Sequence, residues 1–150
     1  MVSCCFSPSM SSHGARGNRA ERAFAALAKR QQEEMPAILE ELKKNGRKTG
    51  HWAWWVFPTE MPGASEPGDE TFVTKTNASK LFDRKVAAEE WQQVLELVCD
   101  LIEEKGMNVL PSIDHGRVHY FIKFWSHLAD SPEWMQQVLK RLSQFEWPPS

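Results

Sequence analysis

Glu89–Gly106, reading EEWQQVLELVCDLIEEKG, decides the fold class. Trp91, Val94, Leu95, Val98 and Ile102 recur at the three- and four-residue spacing that puts side chains on one face of an α-helix. Glu89, Glu90, Glu96, Asp100 and Glu103 make the wet face. Lys105 stands where the helix dipole favours a cation, and Gly106 supplies the stop. Cys99 falls in the apolar stripe and reads as a small core residue.

The same period extends outward in both directions. Upstream, Ala20, Phe24, Leu27, Ala28, Met35, Ile38, Leu39 and Leu42 form one face, with Asn18 as N-cap and Asn45-Gly46 as the C-terminal stop. Pro36 removes a backbone donor inside this run, which predicts a kink or two helices with Pro36 in the first turn of the second. Downstream, Val118, Phe121, Ile122, Trp125 and Leu128 form a stripe that Tyr120 and Phe124 widen, as expected of a central helix. Ser131-Pro132 reads as N-cap and first residue of a last helix presenting Trp134, Val138, Leu139, Leu142 and Phe145.

Between these helices the chain is less regular. His51–Pro58 (HWAWWVFP) is too short and bulky for its period to decide between an extended segment and a single turn. Pro58–Asp69, with Pro62, Pro67, Gly63 and Gly68, reads as a loop. Thr71–Thr76 reads as a short extended piece, and Asn77 as the cap of a short helix through Ala78, Leu81 and Phe82. Met1–Gly17 is rich in Ser and Gly and is expected to be a disordered tail before a single helical domain over 18–150. Helix-period segments outnumber strand candidates, so the expected fold is all-α: a compact bundle of about five helices with a long Pro/Gly loop.

Bulk properties bound the function. A chain of 150 residues fits one domain, and its seven Trp and eight Phe give large buried side chains. With 18 basic against 20 acidic side chains, no bulk electrostatic attraction to nucleic acid or membrane is expected. The charge is uneven: up to Gly50 nine basic residues face five acidic ones, and from His51 to Leu110 five face eleven. Cys4, Cys5 and Cys99 form no disulfide framework, and no secretory signal or membrane-length apolar run is visible, so a cytoplasmic location is expected. Cys4-Cys5 would suit acylation, but Val2 breaks the myristoylation pattern.

Two motifs carry the candidate chemistry. In Gly46–Trp52 (GRKTGHW) the glycines allow a sharp turn, Arg47 and Lys48 bring positive charge, and an indole lies alongside. Such a loop can hold a phosphate or carboxylate; equally, the two cations can complement the negative end of the preceding helix. It lacks the spacing of a phosphate-binding nucleotide loop. In Pro111–Arg117 (PSIDHGR), Ser112 or Asp114 can cap a helix whose first turn contains His115 and Arg117, where the dipole disfavours cations. Either an anion seat or an Asp114–Arg117 pair would account for that. His115 and His119 share a helical face at a metal-compatible spacing, but Arg117 and Lys123 nearby argue against a cation, so no metal and no cofactor is expected. Trp52, Trp54, Trp55 and Phe57 would serve as a stacking platform or as core.

Leu42–Pro58 resembles the hallmark of a mostly bacterial family known as domain of unknown function 1810, at times labelled calpastatin-like. Its pattern is a helix, a Gly-basic-basic turn and a His-Trp-x-Trp run ending in Phe-Pro. Gly46, Arg47, Lys48, His51, Trp52, Trp54, Phe57 and Pro58 match it. Val73–Phe82 and Trp91–Ile102 look like its next two helices, and Asp114, Arg117, Val118 and Phe124 like its Asp-x-x-Lys-Leu segment and following Phe. The chain departs from the family at Thr59, where a Gln is usual, and at Tyr120–Lys123, which replaces Ser-Met-Thr, as in a divergent member. The resemblance implies a small all-helical fold and no established activity.

The expectation taken to the structure is a helical domain whose two motifs meet and use Lys48, His51, Trp52, Asp114, His115 and Arg117 for a small anionic ligand such as a nucleotide. Lys48 and Arg117 would hold the charge, Trp52 would stack and His51 would donate. The alternatives are a small enzyme with His51 or His115 as acid or base, and a protein-interaction domain in which both motifs are architectural and buried. Oligomeric state is left open.

Overall fold

The computed structural model describes residues 2–60 and 71–149, the side chains of 2–18 excepted. The expected tail over 1–17, Cys4 and Cys5 therefore concern side chains outside the described residues, as does most of the Pro/Gly loop. Five α-helices follow in order: α1 (Val2–Asn45), α2 (Ala53–Val56), α3 (Val86–Lys105), α4 (His115–Ser126) and α5 (Glu133–Leu142). Short 3₁₀ turns at Ala78–Asp83, Met107–Val109 and Ser112–Asp114 link them. No strand occurs among the described residues, so the fold is all-α as expected.

α3 is the centre of the bundle, packed on α1, α5 and the short α2, while α4 and α5 pack on each other. Its predicted face is the buried one: Trp91, Val94, Leu95, Val98 and Ile102 are almost wholly withdrawn from solvent. Lys105 and Gly106 end it, with Gly106 at φ 102°, a conformation few other residues adopt. Trp91 and Trp125 meet edge to face at 5.5 Å, and Phe82 stacks on Trp91 at 5.7 Å, so α3 and α4 join through aromatic contacts.

Several boundaries differ from the sequence reading. α1 starts at Val2, so Asn18 lies within the helix and not at its N-terminus. It also runs unbroken through Pro36. Pro36 lies on the exposed face, where water can take the carbonyl left without its helical donor, so the missing N–H does not divide the helix. The stop at Asn45-Gly46 is as expected: Gly46 has φ 69° and its N–H donates to Leu42 O at 2.9 Å. Asn77 precedes a 3₁₀ turn without capping it; its Oδ1 accepts instead from Thr74 N at 2.9 Å. α5 starts one residue later than read, with Pro132 in the N-cap position.

The aromatic run His51–Pro58 is a single helical turn rather than an extended segment. Beyond it, Val73 N–H donates to Thr59 O at 3.2 Å, tying the stretch after the loop back to the end of that run.

Candidate functional site

The two motifs are neighbours. Lys48 Nζ lies 2.9 Å from Asp114 Oδ2, and Lys48 N–H donates to Val109 O at 2.8 Å. The ion pair is buried, its side chains only 5% and 7% exposed. Lys48 also sits over the Trp52 ring, 5.2 Å from its centroid. Asp114 occupies the N-cap position of α4 without making a side-chain cap. Its carboxylate is committed to Lys48 across the molecule.

The turn itself already holds an anion, and that anion is Glu41. Oε2 of Glu41, in the last part of α1, accepts from Thr49 N (2.8 Å), Gly50 N (3.0 Å) and Trp52 Nε1 (2.8 Å). Glu41 thus takes up two backbone donors of the turn and the indole N–H beside them. Burial raises the Glu41 carboxyl, but these hydrogen bonds outweigh it and hold its pKa below the usual value. Gly50 is needed for the closeness: a Cβ there would stand 2.7 Å from Glu41 Oε1.

The other end of the aromatic run is fastened as tightly. A one-turn helix leaves its carbonyls without helical donors. Four successive carbonyls are instead taken by side chains from three helices: Trp55 O by Gln31 Nε2 (2.6 Å), Val56 O by Trp91 Nε1 (3.0 Å), Phe57 O by Arg117 Nε (2.9 Å) and Pro58 O by Trp125 Nε1 (2.8 Å). Gln31 in turn accepts from Arg84, whose guanidinium also donates to Leu81 O and Ala28 O. Burial pulls Arg84 down to about 10.

The histidines are placed differently from one another. His115 is buried and its Nε2 donates to Met107 O (3.1 Å) and Leu110 O (2.9 Å), so it closes the turn that leads into α4. His119 donates from Nδ1 to Trp147 O at 2.9 Å. His51 is exposed. No three His, Cys, Asp or Glu side chains converge as a metal site among the described residues. Of the six expected site residues, the structure thus groups Lys48, Trp52 and Asp114 directly. Arg117 is joined to them through the aromatic run, His115 flanks them, and His51 stands apart. All but His51 are buried.

Accessible space opens beside the motifs. A cleft of about 370 Å³ lies where the aromatic run ends against α4. It is lined by Thr59 and Glu60, by Lys75, by Tyr120, Lys123 and Phe124 of α4, and by His127 just past the end of that helix. His119 meets the Tyr120 ring edge to face at 4.9 Å and steadies it. His127 Nδ1 donates to Lys123 O at 2.6 Å, which makes Nε2 the nitrogen left for any other partner. Neither Lys75 nor Lys123 makes an ion pair with a described carboxylate. Tyr120 and Phe124 had been read only as extra core; the departure from the family pattern at Tyr120–Lys123 was the one sequence signal at this place.

No helix among the described residues is long and apolar enough to cross a membrane. No curated protein and no solved structure matches the chain. The family model described as "Protein of unknown function (DUF1810)" matches residues 22–146, which takes in α2 to α5 and most of α1. With the Gly-Arg-Lys turn, the aromatic run and the Asp114–Arg117 corner all inside that match and locked to one another, the chain belongs to the DUF1810 family.

Proposed function

We propose that this domain binds a small anionic ligand carrying a flat ring, such as a nucleotide, in the cleft between Thr59-Glu60 and α4, and that the two motifs form the frame of that cleft. The observation that carries this reading is the convergence of Lys75, Lys123 and His127 on one cleft with a half-buried tyrosine ring. Two cations without described ion-pair partners can meet an anionic group, and an aromatic face can stack a ring. The cleft's size is at the small end of ordinary ligand pockets. The five buried residues of the motifs act from behind. Arg117 and Trp125 hold the carbonyls of Phe57 and Pro58, the residues that deliver Thr59 and Glu60 to the rim.

The test is calorimetric titration of the full chain with purine and pyrimidine mononucleotides and with inorganic phosphate. Binding weakened at least tenfold by Lys123→Ala and by Tyr120→Ala, with the fold intact by circular dichroism, supports the reading. Absence of binding at ligand concentrations of about 1 mM, equivalent to a binding free energy weaker than about 4 kcal/mol, sinks it. It would leave the alternative of an interaction domain whose buried motifs are architectural.

A further inference from the structure

The carboxylate of Glu41 sits in the turn before α2 as a ligand sits in a site. Its Oε2 meets three N–H donors, from Thr49 (2.8 Å), Gly50 (3.0 Å) and the Trp52 indole (2.8 Å). The Thr49 hydroxyl, which accepts from Asn45 Nδ2 at 3.3 Å, adds a further hydrogen bond to the same side chain. Oε1 lies against Gly50, where a Cβ would come within 2.7 Å. Burial opposes the ionised form and the hydrogen bonds outweigh it, so this cradle favours a charged carboxylate over a neutral group. The cradle is also anchored by contacts other than those to Glu41. Lys48 N–H donates to Val109 O at 2.8 Å, Lys48 Nζ pairs with Asp114 at 2.9 Å, and the Trp52 ring is buried beneath that ammonium. Thr49 is exposed and Gly50 and Glu41 are half-buried, so the cradle is open to water.

We infer that this turn is a carboxylate-binding site held shut by the chain's own Glu41, and that a small external carboxylate takes its place once that side chain swings out. The site is separate from the α4 cleft and does not depend on it. Glu41 enters the cradle through its side chain alone, so its departure requires a change of rotamer and no movement of α1. The tether sets the competition. A group attached this closely has an effective concentration of about 1 mM or more, which an external carboxylate must exceed. The donors also select the class of anion. All three N–H groups meet one oxygen, so a carboxylate seated in this way leaves one oxygen outside them, whereas a phosphate would leave three. Charged oxygens withdrawn from water without donors are costly, which favours the carboxylate.

The experiment is titration of the full chain at neutral pH, where acetate is ionised, with acetate, inorganic phosphate and chloride at equal ionic strength. The readout is the NMR resonance of the Trp52 indole N–H, identified by its loss in Trp52→Phe. In Glu41→Ala this resonance is expected to move saturably with acetate, and less with phosphate or chloride. The unaltered chain should need at least about tenfold more acetate for the same movement, because Glu41 competes. Adding Lys123→Ala to Glu41→Ala should leave the response unchanged. A response to acetate no larger than that to chloride overturns the inference, and a response to phosphate equal to that to acetate overturns the carboxylate class. Equal sensitivity with and without Glu41 shows that Glu41 does not hold the seat, and a response lost with Lys123→Ala places the ion in the α4 cleft; either result overturns the inference. If Glu41→Ala does not fold in chloride, the same comparison is read as recovery of helical circular dichroism on adding acetate. No recovery beyond that in chloride then sinks it.

Discussion

Glu41 is the residue on which the first motif depends, and nothing in its sequence surroundings marks it. It stands on α1 as one more carboxylate in a charged stretch, and its three donors come from residues eight to eleven positions later. Local patterns record spacing within an element and not which partner a polar side chain meets across a turn. Glu41→Ala leaves two backbone N–H groups and an indole N–H without their acceptor, and is expected to cost about 1–3 kcal/mol of stability, read from urea denaturation. The sign of the pH dependence follows from the direction of its shift. The folded-state pKa lies below the ordinary 4.5, so this contribution is present above that value and is lost as pH falls through the folded pKa. The acid limb of the stability curve should therefore flatten in Glu41→Ala; an unchanged limb would remove Glu41 from the account. Gly50→Ala probes the same contact from the other side. Its Cβ would stand 2.7 Å from Glu41 Oε1 and 3.1 Å from Trp52 Cδ1, so a loss of about 1–3 kcal/mol is expected. In the Glu41→Ala background the penalty should shrink.

At the scale of elements, the helices were legible and the joints between them were not. The buried faces of α3, α4 and α5 follow the apolar stripes read from the sequence, because burial selects side chains at the helical period. Gln31 escaped that reading. It completes the buried face of α1 at 0% exposure, but a polar residue in a stripe looks like an interruption until its partners, Trp55 O and Arg84, are seen. The same holds for the tryptophans. Helical spacing predicted core for Trp91 and Trp125, and they are core, yet each also donates its indole N–H to a carbonyl of the aromatic run. Trp125→Phe retains most of the ring packing and removes only the bond to Pro58 O. A loss of about 1–2 kcal/mol is expected, with weaker ligand binding at the Thr59-Glu60 rim. Unchanged binding would separate the rim from this joint. A second joint lies between α3 and α5, where Cys99 faces Val138 O at 3.9 Å. Burial pushes its thiol up to about 12. Its unfolded value is lower, at 9.0, so the linked stability is complete below about 9 and is lost as pH rises towards about 12. With Cys4 and Cys5 changed to Ser, Cys99 is the remaining thiol of the three. Its alkylation at neutral pH should then track global unfolding; rapid modification of the native state would show that α5 opens from α3 on its own.

At the scale of the whole molecule, the association of the two motifs was readable as a possibility of sequence, and its form was not. Lys48 and Asp114 are distant in the chain, and residue type alone fits both a ligand-facing pair and an internal one. Burial decides, since side chains 5% and 7% exposed, 2.9 Å apart, have each other as counter-ion. A buried pair of this kind has asymmetric energetics. Removing one partner strands a charge in a medium that solvates it poorly and costs about 3–5 kcal/mol, whereas replacing both with apolar groups of similar volume is close to neutral. Lys48→Met and Asp114→Leu should each be strongly destabilising by urea denaturation. The double variant should recover most of the loss, giving a coupling energy of several kcal/mol. Ligand binding discriminates further. Because the pair lies behind the cleft and not in its lining, the refolded double variant is expected to bind within about threefold of the unaltered chain, a difference under about 1 kcal/mol. A double variant that folds but binds no ligand would move the site from the α4 cleft back to the junction of the motifs.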